Sequence, residues 1–128
     1  MSLSAAHAQA FFDELDASVV WTIADGGGIP APEGASGHRV MPFWSRESRA
    51  QKTIENVPAY AGFRSRSIPL GEWEGRWLPG LGRDGLLVGL NWHGSGATGH
   101  DFTPGQVLER LAAWRSTHRG DASGELER

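Results

Sequence analysis

The chain has no cysteine. A disulfide framework, a cysteine-based zinc or iron–sulfur site and a thiol nucleophile are thereby excluded, and a reducing compartment suits the protein. No apolar run approaches the roughly 18 residues that a membrane span needs. Residues 1–20, MSLSAAHAQAFFDELDASVV, lack the basic leader and continuous apolar stretch of a secretory signal. The expectation is a cytoplasmic protein that does not enter a membrane. Positive charge is missing from residues 1–38, which hold Asp13, Glu14, Asp16, Asp25 and Glu33 with no Lys or Arg.

What is present fits one domain. The chain has 128 residues, 39% of them hydrophobic, with six Trp and five Phe, enough apolar surface for a single core. Residues 39–66 carry Arg39, Arg46, Arg49, Lys52, Arg64 and Arg66 against Glu47 and Glu55, so a basic middle follows an acidic start, within a net charge of -3. That balance argues against nucleic-acid binding. The two segments can pair with each other, the favoured reading, or the basic one can attract an anionic partner.

Apolar spacing places a helix over residues 4–16 and a strand at SVVWTIAD. The glycines and prolines of DGGGIPAPEGASG make a loop. HRVMPFW is a second strand, with Pro42 marking an edge or an end. Ser45 is the expected N-cap of a helix whose buried stripe is Ala50, Ile54 and Val57, with Arg49 and Lys52 projecting away and Pro58 ending it. SRSIPL reads as a short strand, and GEWEGRWLPGL as a short helix stopped by Pro79-Gly80. LLVGLNW is a central strand. In the last helix Thr103 is the N-cap, Pro104 the first helical residue and Gln106 the capping-box partner, with Gly120 as its end.

These segments carry a resemblance. VVWTIAD with its glycine turn, VMPFWSRESRA, EWEGRWLPGLGRDGLLVGLNW and a Pro-initiated final helix resemble the small, mostly bacterial domain of unknown function 2750 family over about residues 8–115. The resemblance implies a one-domain α/β protein and carries no activity with it. The prolines of IPAP depart from the second hairpin strand usual after the first glycine turn.

Motifs that suggest chemistry have structural explanations. GSGATG, residues 94–99, matches G-x-G-x-x-G, but Thr103 and Pro104 start the helix too late to receive a pyrophosphate, so a flexible loop is the better reading. His38, His93, His100 and Asp101 show no metal-ligand spacing. Ser45 lies on a strand-to-helix turn where a hydrolase could place a nucleophile, with Asp25 or Asp101 as an imaginable acid, yet no G-x-S-x-G elbow surrounds it. Most of the tryptophans are expected in the core. Trp44 and Trp73, beside Arg46 and Arg49, are the candidates for a groove that offers aromatic surface and guanidinium donors to an anion.

The expected fold is α/β, a single domain over residues 1–120 with a mixed, roughly four-stranded sheet in the order α-β-β-α-β-α-β-α. Residues 121–128 are expected to form a disordered polar tail. The expected function is a non-catalytic module, monomeric or homodimeric, that binds a protein partner or a small anionic ligand through Trp44, Arg46, Arg49 and Trp73. No cofactor, metal or catalytic residue is expected. The competing possibility is a small hydrolase or transferase using Ser45 or a histidine with a nearby carboxylate.

Overall fold

A computed structural model describes residues 3–15, 18–34, 37–94 and 98–126. Along the chain run α1 (Leu3–Glu14), β1 (Val19–Ala24), β2 (Val40–Phe43), α2 (Glu47–Asn56) and β3 (Arg64–Pro69). Then come α3 (Leu70–Glu72), a π-helical turn (Trp73–Trp77), α4 (Leu78–Arg83), β4 (Leu87–His93), β5 (Thr98–Phe102) and α5 (Pro104–Leu126). The class is mixed α/β in one domain.

β1 pairs antiparallel with β3. β4 lies between β2, parallel to it, and β5, antiparallel to it. The two sheets share one rung, at which Trp21 N–H donates to the Trp44 carbonyl at 2.8 Å and Trp44 N–H returns the bond at 2.7 Å. Pro42 explains why the rung stands alone. It has no N–H to extend the ladder, and its carbonyl instead accepts the Thr22 hydroxyl at 2.8 Å. The strand order is therefore β3-β1-β2-β4-β5, with Pro42 inside the sheet rather than at its edge.

Helices cover both faces. On one, Phe11 of α1, Trp73 of the π-helical turn and Leu111 of α5 pack on Val20, Phe43, Val88 and Leu90. On the other, Ala50 of α2, with Val57 and Tyr60 beyond it, packs on Ile23, Val40, Trp44 and Trp92.

Several expectations are corrected. Thr98 and Gly99, read as the end of a flexible loop, belong with residues 100–102 to β5, which raises the strand count above four. Pro79 does not end its helix. The π turn shifts the register so that Leu78 N–H reaches back to the Trp73 carbonyl, and Pro79, which has no N–H, falls in the first turn of the resumed α-helix. α5 continues past Gly120 to Leu126. Its start is as the sequence specifies: Thr103 N–H donates to Gln106 Oε1 at 2.9 Å, and Gln106 N–H donates to Thr103 Oγ1 at 3.1 Å.

β4 contains the irregularity that shapes the molecule. Leu90 pairs with His100 and His93 with Thr98, so Asn91 and Trp92 together oppose a single residue of β5. Asn91 takes up the extra residue at a φ of +54°, in the left-handed region that asparagine tolerates better than most residues. A bulge reverses the alternation of side chains. Trp92, which would otherwise follow Val88 and Leu90 to the α1 face, turns to the α2 face. There its indole lies over the Cα of Gly89 and donates to Asp101 Oδ1 at 3.2 Å.

Candidate functional site

The carboxyl ends of the parallel strands β2 and β4 bring together α1, α2 and the bulge. Asn91, wholly buried, organises the junction. Its Oδ1 accepts the Ser45 backbone N–H at 3.0 Å, and its amide donates to the His7 carbonyl at 3.1 Å. Ser45 therefore does not cap α2. The N-cap position belongs to Arg46, without a side-chain bond, while the Ser45 hydroxyl donates to Glu14 Oε1 at 2.6 Å.

Glu14, the last residue of α1, is the charged centre. Arg49 Nε donates to its Oε1 at 2.8 Å and Arg49 Nη2 to its Oε2 at 2.7 Å, a two-point grip. Arg46 Nε stands 3.3 Å from Oε1 with 61% of its side chain exposed. The acidic first segment and the basic middle thus pair with each other here. Chiefly through the Arg49 bonds, and against the opposing effect of burial, the Glu14 carboxyl is pulled down to about 2.

This gives a direct prediction. A carboxylate depressed in the folded state stabilises the fold above its ordinary value of 4.5, and that contribution is lost as pH falls toward 2. Glu14→Gln should cost about 2 kcal/mol at neutral pH. The gap to the parent protein should narrow steadily below about pH 5. Urea unfolding at both ends of that range checks it.

Arg49 also faces a cleft of about 290 Å³ on the other side of the ion pair. Among the described residues the cleft is lined by His7, Arg49, Lys52, Thr53, Asn56, Trp92, His93 and Gly94, with no carboxylate among them. His7 and His93 meet edge to face, with ring centroids 4.0 Å apart. The His7 imidazole is held below its ordinary value of 6.5 by burial first, then by His93 and Arg49, with Glu14 opposing. A second hollow, of about 300 Å³, lies beside Arg46, but Glu14 and Glu47 border it. A third, of about 420 Å³ between α1 and α5, is remote from these groups. Its guanidinium, Arg110, already lies over the rings of Phe102 and Phe12.

Of the four residues expected to bind, the structure brings Arg46 and Arg49 together and separates the aromatics from them. Trp44 and Trp73 are wholly buried. Trp44 donates its indole N–H to the Trp92 carbonyl at 2.9 Å, and Trp73 packs on Phe11 and Phe43 on the opposite face. Neither presents an aromatic wall to a groove, because both side chains are spent on the core. Arg49 does not project away from α2 but turns to Glu14. The acids imagined for Ser45 are engaged elsewhere: Asp25 Oδ1 accepts the Gly27 N–H and Asp101 Oδ1 the Trp92 indole. The side chain of His100 lies outside the described residues.

His7, Glu14, Lys52 and Asn91 are not among the site residues expected from the sequence, although Glu14 and Lys52 belong to its acidic and basic segments. His7, Phe11 and Glu14 stand at positions i, i+4 and i+7 of α1, one helix face, and Arg49 and Lys52 at i and i+3 of α2. That spacing was the available signal. Asn91 offered none beyond being an asparagine within an apolar strand.

No curated protein matches the chain. A solved structure of Anabaena Tic22, described as protein transport, superimposes with a TM-score of 0.41 at 17% sequence identity, covering 64% of this chain and 45% of that one. The chain thus matches less than half the length of that protein. The family model described as Protein of unknown function (DUF2750) matches residues 8–111. That span includes all five strands together with Glu14, Ser45, Arg49, Lys52, Asn91 and His93. Matched from Ala8 to Leu111, the chain belongs to the DUF2750 family.

Proposed function

We propose that the protein is a non-catalytic module, acting in the cytoplasm, that binds a small anionic ligand in the cleft beside Arg49. The supporting observation is the lining of that cleft: the Arg49 guanidinium, which Glu14 pairs from the far side, together with one ammonium and two imidazoles, and no carboxylate among the described lining residues. An anion placed there gains charge-assisted hydrogen bonds in a partly enclosed site. The position agrees with a general habit of open α/β sheets, which hold ligands beyond the carboxyl ends of their parallel strands. Among the described residues, no helix is long and apolar enough to cross a membrane.

Lys52 is the only lysine of the chain and is exposed, so its replacement tests the site without disturbing the core. Thermal unfolding with sulfate, phosphate and chloride at matched ionic strength is the measurement. A bound oxyanion at about one hundred times its Kd stabilises the fold by roughly 2.7 kcal/mol. Lys52→Glu should abolish the oxyanion-specific part. Equal stabilisation by all three salts, or equal response of both proteins, would sink the proposal.

A second reading is favoured by the 2.6 Å contact of Ser45 with Glu14, which places a hydroxyl within reach of a carboxylate as a hydrolase requires. The chemistry weighs against it. A carboxyl held at about 2, with Arg49 on both oxygens, is a weak acceptor for a serine proton. Activated esters discriminate: hydrolysis lost on Ser45→Ala supports catalysis, and turnover equal in both proteins excludes it.

A further inference from the structure

The two histidines of the cleft pose a problem that neither the fold nor simple anion binding resolves. His7 Nδ1 and His93 Nε2 are buried, and neither has a hydrogen-bond partner among the described residues. Buried ring nitrogens are ordinarily satisfied. These two sit on rings only 4.0 Å apart at an interplanar angle of 69°, contributed by different elements, on the wall of the same cleft. The described charged side chains around the pair are Arg49 and Lys52 from α2 and Glu14 from α1. Arg49 holds both oxygens of Glu14, so the carboxylate is turned to the guanidinium rather than free to neutralise an imidazolium.

We infer that the cleft takes a dianionic phosphate group, and that binding it moves one proton from solvent onto the His7–His93 pair. This rests on the anion-binding reading above and adds the ligand class and its linked proton. A proton on either ring of the empty site faces a second imidazole, an ammonium and a guanidinium whose charge Glu14 offsets only in part. A dianion reverses the sign of that environment, and the protonated pair then has one more N–H to donate. A tetrahedral group with several oxygens can accept from Lys52, Arg49 and an imidazole edge together, which a singly charged, planar carboxylate does less well. The cleft volume of about 290 Å³ lies at the lower end of small-molecule sites, roughly 300–1,000 Å³. It accommodates phosphate carried on a compact molecule.

The sign of the linkage follows. Binding raises the affinity of the pair for a proton, so by reciprocity a proton raises its affinity for the anion. Affinity is greatest where His7 is protonated even in the empty site, and it falls as pH rises until the proton taken up with the anion is lost from the occupied site. For one full proton the fall is about tenfold per pH unit inside that window. His7, already held below 6.5 in the empty site, sets the lower side of the window.

Sulfate is the probe because it remains a dianion throughout, leaving the protein as the source of any pH dependence. Calorimetric titration of the full chain between about pH 6 and pH 8, in buffers of different ionisation enthalpy, reads affinity and proton uptake together. The expected result is binding that weakens at least about tenfold across the range, with uptake approaching one proton per sulfate. His7→Asn and His93→Gln should each flatten the profile and lower the proton uptake. Inorganic phosphate and phenyl phosphate, corrected for their own titration, distinguish a free ion from an ester, the tighter of the two naming the source. Sulfate binding that takes up no proton and does not vary with pH overturns this inference and leaves anion binding intact. If none of the three binds, both are overturned.

Discussion

Gly89→Ala should lower the melting temperature by roughly 10 °C, a loss of about 3 kcal/mol. An added Cβ would meet Nε1, Cε2 and Cζ2 of the Trp92 indole at separations real Cβ atoms do not adopt. The indole has little room to yield. It is 6% exposed and tied to Asp101, and it packs with Trp44 against α2. The backbone of Gly89 lies between β2 and β5, paired with Pro42 and Asp101, so it cannot easily move either. A double-mutant cycle with Trp92→Leu identifies the cause. If the indole is the obstacle, Gly89→Ala should be nearly harmless in the Trp92→Leu background. A full loss in both backgrounds would show that the alanine offends something else.

The second large effect is expected at Asn91. Asn91→Ala removes the acceptor of a buried Ser45 N–H and the donor to the His7 carbonyl, and leaves alanine at a φ of +54°. A buried backbone N–H and a part-buried carbonyl lose their partners, at about 1–3 kcal/mol each where water cannot replace them, so a total near about 3 kcal/mol is expected. Asn91→Gly loses the same bonds but adopts the left-handed conformation freely. It should be less damaging than alanine by roughly 1 kcal/mol. Chemical denaturation of the two variants gives the comparison. Equal stabilities would mean that hydrogen bonding alone selects asparagine here. Because Asn91 holds α1 to the β2–α2 turn, both variants should also loosen Glu14 from Arg49 and raise the carboxyl from about 2 toward its ordinary value.

Legibility in the sequence followed the range of the interaction concerned. The start of α5 was readable because Thr103, Pro104 and Gln106 act within one turn. The apolar stripe of α2 and the core strand at 87–92 were readable from periodicity. β5 was not, since its glycine and polar residues have little strand preference and are held by pairing with β4. Pro79 looked like a helix stop because a π turn, which supplies its place, leaves no local signature. Ser45 looked like a cap because serine at a strand-to-helix turn usually is one; its actual partner, Glu14, lies on another helix. The cleft was half visible. Arg49 stood out for its charge, while His7 and His93, distant in sequence, became neighbours only when α1 was laid beside the end of β4. Trp44 and Trp73 drew attention by size, and size was the reason the core took them.

The lone rung between Trp21 and Trp44 bears on how the molecule assembles. Among the described strands that pair along a ladder, β4 and β5 alone follow one another in sequence, because β1 and β2 meet only at that rung. β1 reaches β3 after the whole of β2 and α2 has intervened, and β2 reaches β4 after α2, β3 and the π-containing helix. Each half of the sheet therefore waits on a long loop to close before its contacts reward it. Pro42 denies the two halves a continuous seam on which either could template the other. The hairpin of β4 and β5, with its bulge already aiming Trp92, is the natural nucleus. The acidic and basic segments that flank the seam meet only where α1 and α2 close around the end of the sheet, through Glu14 and Arg49.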